Sequence, residues 1–169
     1  MRRYLIILLI LILLFIVQTA ILPFLTIYNI SPDILLIFIT AYSILNGQWE
    51  GMICGIVAGA LMDVFYSPVY GIYSIVYTTI GFLVGRFSKN IFKENSFAAL
   101  LFTIMGSVYK GILIVIFKAV LSYKTDIWMS FLALSLPEAL LNGIIIFLTY
   151  DYLIRLNDHT LLKKNKTIF

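Results

Sequence analysis

The sequence is short of nearly everything a soluble protein displays at its surface. Charged residues make up 12% of its 169 positions and hydrophobic ones 62%, so polar side chains are too few to cover a water-facing domain. There is one cysteine, Cys54, set inside an apolar run. That excludes an internal disulfide and a cysteine-based metal site. There is one histidine, His159, in a polar tail, and a lone histidine builds no metal centre. No Ser-His-Asp grouping, no phosphate-cradling glycine loop and no paired Cys/His cluster is present. Neither an enzyme, a metal nor a cofactor is expected, and no nucleic-acid partner.

What the chain does have is apolar length. Runs such as "YLIILLILILLFIV" are of membrane-spanning type. Six apolar segments stand at roughly 4–22, 33–46, 51–66, 71–86, 97–120 and 128–150, with a cytoplasmic tail over 151–169. Between them lie Pro23 and "NISP", then "GQWE", "SPVYG", "RFSKNIFKENS" and "SYKTD", all with turn chemistry. The reading is one all-α domain over 1–169, a polytopic membrane protein with six transmembrane helices and short loops. Arg2 and Arg3 precede an apolar run longer than a signal peptide's core, so the first segment is expected to stay as an anchor. Trp49, Trp128 and several tyrosines near segment ends suit the membrane interface.

Lysine and arginine placement sets the orientation. With the N-terminus in the cytoplasm and six crossings, Arg2, Arg3, Arg86, Lys89, Lys93, Arg155, Lys163, Lys164 and Lys166 fall on the cytoplasmic side, and only Lys124 lies in an outer loop. Both termini come out cytoplasmic, with the last three lysines near anionic lipid headgroups. The second and third segments are short: a 14-residue helix covers about 21 Å, less than a hydrocarbon core of about 30 Å. They could be two short spans, a re-entrant hairpin or one bent helix. Two spans extended by flanking residues fit best.

Within "GQWEGMICGIVAGALMD", Gly47, Gly51, Gly55 and Gly59 recur every fourth residue, with Asp63 the next step. That period places them near one stripe of a helix. In lipid, close backbone contact supplies helix-packing energy that bulk cannot. Gly81 and Gly85 of the fourth segment offer a matching surface. The stripe reads as a seam between segments three and four, or as a groove for another protein's helix. Asp33, Asp63, Lys110 and Glu138 are ionisable residues in or near the membrane, where such groups are costly and paired or functional. Lys110 and Glu138 lie 14 residues to either side of Lys124 and should pair across a hairpin, while Asp63 falls near the outer turn. They could tie the helices together, line an ion or proton path, or meet a partner's helix. Pro32 and Asp33 form a good helix start.

The order of these pieces resembles the MreD family of bacterial rod shape-determining proteins. The resemblance rests on "QTAILP", then "SPDILLIF", "GQWEGMICGIVAGALMDVF" and "GIYSIVYTTIGFLVG", and on Pro32, Asp33, Gly51, Gly55, Gly59, Leu61, Asp63 and Gly71 within them. It implies a fold like the S-components of energy-coupling vitamin transporters. It also implies a non-enzymatic scaffold of cell-wall elongation in the bacterial plasma membrane. Its implied partners are the single-span protein MreC and, indirectly, the filament MreB and the wall synthases. A vitamin-like binding subunit is the other function this fold resemblance allows, using Asp33, Asp63 and Tyr70.

Overall fold

A computed structural model describes residues 2–25, 30–67, 69–88, 95–120 and 135–158. Among these it is all-α. Helix α1 (Arg2–Ile16) runs on through a π turn (Val17–Ile21) and a 3-10 turn (Leu22–Leu25). Then follow α2 (Ile34–Asn46), α3 (Gln48–Tyr66), α4 (Ile72–Ser88), α5 (Ser96–Val120) and α6 (Leu136–Asp158). Four stretches are long and apolar enough to cross a membrane: Arg3–Phe24, Gln48–Tyr66, Ser96–Phe117 and Leu136–Asn157. The protein is a polytopic, all-α membrane protein.

Helix α1 shows why such a chain needs lipid. Ile7, Leu11 and Phe15, spaced four apart, are buried, while Leu5, Leu9, Ile12 and Leu13 on its other side are exposed and equally apolar. Helix α2 is the opposite case: every residue from Leu35 to Ile44 is buried. It is the central post, packed against all five other helices. Its 13 residues span only about 20 Å. That shortness carries little penalty, because its ends meet protein rather than acyl chains.

Successive helices alternate in direction. Gln18 reaches Asp33 at one end of the bundle, and Arg3 reaches Asn46 at the other. Asn157 meets Asn46 too, so the start of α1 and the end of α6 share one end. Between α2 and α3 the chain reverses at Gly47, whose φ of +93° favours glycine. The bent-helix arrangement is thereby excluded, since Ser43 of α2 lies directly against Gly51 of α3. Helix α6 runs past residue 150, where polarity alone would end the segment. Its last turns remain helical because Leu153, Ile154 and Leu156 still pack on the core. Residues 128–134, including Trp128, and the lysines at 163, 164 and 166 lie outside the described residues, as do Lys89, Lys93, Lys124 and His159.

Candidate functional site

The start of α2 poses the central physical problem. A helix begins with N–H groups that have no intrahelical partner, and here they are buried with no water to take them. Three side chains from three helices solve it. Asp33 caps its own helix, accepting from Leu36 N at 3.0 Å. Gln18 accepts from Leu35 N at 3.0 Å through its Oε1 and donates from Nε2 to Asp33 Oδ1 at 3.1 Å. Asn142 of α6 accepts from Asp33 N at 2.8 Å and donates to Ser107 Oγ at 3.0 Å. Gln18 sits in the π turn of α1, where a wider coil re-aims the side chains.

The Asp33 carboxylate then anchors a charge cluster. Its Oδ2 accepts from Tyr77 OH at 2.6 Å and from Lys110 Nζ at 2.7 Å. Lys110 also donates to Glu138 Oε1. The lysine thus joins α2, α5 and α6 rather than α5 and α6 alone. The Lys110, Asp33 and Glu138 side chains are 9%, 4% and 21% exposed. In such a setting an ammonium between two carboxylates, each further hydrogen-bonded, is the arrangement that offsets desolvation. About two helical turns deeper, Thr40 and Thr103 share a hydrogen bond of 3.0 Å, tying α2 to α5 again.

Asp63 stands apart from this cluster. It lies near the turn between α3 and α4 and is buried within the bundle. Its two oxygens accept from Tyr73 N at 2.8 Å, Ser74 N at 2.9 Å and Ser74 Oγ at 2.6 Å. It therefore caps the start of α4 from the neighbouring helix, where its charge also suits the helix dipole. Asp63→Ala leaves two backbone N–H groups unsatisfied and is expected to cost about 1–3 kcal/mol, read as a lower unfolding temperature in detergent. Asp63→Asn keeps one acceptor and should lose less. Asp33 and Asp63 thus hold separate helix starts, and Tyr70 is 78% exposed. These three side chains do not converge on one pocket.

The glycine stripe is a backbone seam. A Cβ on Gly51 would lie 2.6 Å from the Gly81 carbonyl oxygen, one on Gly55 2.6 Å from the Tyr77 carbonyl carbon, and one on Gly59 2.7 Å from Ser74 N. Gly81 and Gly85 answer from α4, their missing Cβ atoms facing Gly51 and the Gly47–Gln48 backbone. Gly47 departs from the ladder: a Cβ there would meet nothing within 4 Å, and its glycine is needed for the turn. Since α4 fills the stripe, the groove for another protein's helix is not there to be used.

At the opposite end of α2 a second polar set closes the bundle. Arg3 donates to Tyr42 OH at 2.6 Å and Asn46 Oδ1 at 3.1 Å, and lies 3.4 Å from Glu50 Oε1. Asn46 donates to Asn157 Oδ1 at 2.8 Å. Sequence reasoning treats Arg3 only as an orientation marker and gives no role to Gln18, Tyr77, Asn142 or Glu50. The signal was available for Asn142 and Gln18, since an amide inside an apolar helix seeks a partner helix. Among the described residues, no group of three or more His, Cys, Asp and Glu side chains could hold a metal ion.

Over residues 1–159, a span that takes in all six described helices, the sequence matches the family described as rod shape-determining protein MreD. The chain belongs to the MreD family. It is accordingly a rod-shape-determining membrane protein, of a structural rather than catalytic family. No curated protein and no solved structure matches the chain. The matched span includes both the glycine seam and the Asp33 cluster.

Proposed function

We propose that the chain is a non-enzymatic scaffold of the bacterial plasma membrane that keeps cells rod-shaped by binding the single-span protein MreC. Through the elongation complex it links the wall synthases to the MreB filament. The observation that carries this reading is the family match across all six helices. The structure supports a scaffold in a further respect. Its intramembrane charges are used up on internal helix ties, and its glycine stripe on internal packing.

The proposal places both termini in the cytoplasm. Support comes from the shared end of α1 and α6: Arg2, Arg3, Arg86 and Arg155 all sit on helix ends at that side, in keeping with the positive-inside rule. The MreC span then meets an outward apolar face of the bundle, because the stripe on α3 is filled. The test is replacement of the native copy by a tagged one in a rod-shaped host. Rod shape and co-purification of MreC are expected. Rods that persist with no MreC recovered, or cells that stay rods without the protein, would overturn the reading.

A further inference from the structure

Helix α3 begins without a side-chain cap. Asp33 caps α2, Asp63 caps α4, and Asn95 caps α5 by accepting from Phe97 N at 2.9 Å. Gly47, which precedes α3, has no side chain for the task. Gly51 N reaches the Gly47 carbonyl at 3.0 Å, but among the described residues nothing accepts from Gln48 N or Trp49 N. A second group nearby is also unsatisfied. Ser88, the last residue of α4, is 1% exposed, and its hydroxyl has no hydrogen-bond partner among the described residues. A buried hydroxyl in that condition is costly and calls for a partner.

Helical register places the two together. Gly81 lies against Gly51, and Gly85 against the Gly47–Gln48 backbone, where a Cβ would stand 2.5 Å from Gln48 N. Ser88 is three residues further along nearly the same face. It therefore stands about 4.5 Å past the first residue of α3, over the uncapped end. Arg86 approaches from the outer side. It is exposed, and it sits one turn beyond Phe82, whose ring meets Trp49 of α3 with centroids 6.1 Å apart. Among the described residues Arg86 makes no ion pair. The carboxylate in the first turn of α3, Glu50, is directed to α1, where Arg3 lies 3.4 Å from it.

We propose that these groups form an anion site, in which a phosphate group is held by Gln48 N, Trp49 N, the Ser88 hydroxyl and the Arg86 guanidinium. A helix start favours an oxyanion through its free N–H groups and its dipole. The guanidinium adds charge-assisted hydrogen bonds. Four donors with no carboxylate turned toward them suit phosphate and reject a cation. The site lies at the end of the bundle that also carries Arg2, Arg3 and Arg155, the level of lipid headgroups. The phosphodiester of a lipid and free phosphate share this chemistry, and the experiment separates them.

The test is thermal unfolding of the full-length protein in dodecyl maltoside, a detergent without phosphate. One arm adds sodium phosphate against sodium chloride at matched ionic strength. The other adds phosphatidylglycerol in mixed micelles against diacylglycerol with the same tails. A midpoint that rises above its control is expected in at least one arm. The first arm marks a free anion, the second a headgroup. Arg86→Gln should raise the half-saturating concentration about tenfold, the loss of a charge-assisted bond. Arg155→Gln, on α6 at the same end, should change it little. Ser88→Ala gives a sign that a packing role would not. It removes an unpartnered hydroxyl, so the midpoint without anion stays at or above wild type, while the gain from anion shrinks. Arg86 is exposed, so its variant keeps the site testable should Ser88→Ala fail to fold. Midpoints that follow the controls in both arms would overturn the proposal. So would equal weakening by Arg155→Gln and Arg86→Gln, which means general attraction to a basic end. A Ser88→Ala midpoint lowered equally with and without anion would overturn it too.

Discussion

Lys110→Met is expected to destabilise the protein by about 3–5 kcal/mol, the cost of breaking a buried ion pair from one side. The reason lies in what remains. Asp33 and Glu138 would face each other across an apolar side chain with no cation between them. Asp33 cannot turn away, because its other oxygen caps α2 and holds Gln18. The measurement is a thermal unfolding midpoint in detergent or nanodiscs, together with the protein level in cells. A midpoint within a degree or two of wild type would show that the cluster contributes little.

The geometry also settles how a reciprocal exchange should behave. Were Lys110 paired with Glu138 alone, exchanging the two residues would restore the pair. But Lys110 also contacts Asp33 at 2.7 Å. The exchange sets a carboxylate at position 110 against Asp33, and like charges in that setting repel. The double variant should therefore remain nearly as damaged as Lys110→Met. Full rescue would mean that the Asp33 contact carries no weight.

The second large effect belongs to the glycine seam. Gly55→Leu must push apart two helices whose backbones touch. Even the first added carbon would lie 2.6 Å from a carbonyl carbon and 2.8 Å from Thr78 N. Neither atom can rotate away, as a side chain could. Overpacking of this kind costs about 1–3 kcal/mol for small insertions, and more where backbone must shift. Gly55→Leu is expected at or above the top of that range, and Gly55→Ala within it. Gly106→Ala is the control: its Cβ would meet Ile80 Cγ2 at 3.2 Å, a side-chain atom with room to give. Equal effects at Gly55 and Gly106 would remove the seam from the account.

Much of this frame was legible in residue order, and the reasons differ by element. Apolar runs betray helices in lipid because the backbone must satisfy itself there. The glycine period pointed to close packing because glycine permits the closest approach of two backbones, and Gly81 and Gly85 supplied the facing surface. Gly47 was legible both as the start of the "GQWE" turn and as the first step of the ladder, and its φ of +93° decides for the turn. The second partner of Lys110, Asp33, was hidden for another reason. Counting residues from a turn gives depth, not azimuth, so it cannot tell that α2 packs against both helices of the α5–α6 hairpin. The same limit hid what Asp63 does near that turn, which is to cap the start of α4. The helix continuing to Asp158 was obscured by polar residues on one side of it, although Leu153, Ile154 and Leu156 kept its apolar face.

The central claim is that the intramembrane charges serve the fold and nothing else. It is tested most directly by one comparison: rod shape and unfolding midpoint for the triple variant Asp33→Asn, Lys110→Met, Glu138→Gln beside Lys110→Met alone. With all three charges gone, no carboxylate is stranded, and the amide that Asp33→Asn introduces still offers an oxygen to Leu36 N. The account predicts that the triple variant recovers most of the lost stability and restores rods. A triple variant that folds as well as wild type yet leaves cells round would contradict it, for the charges would then act in the shape-determining function itself.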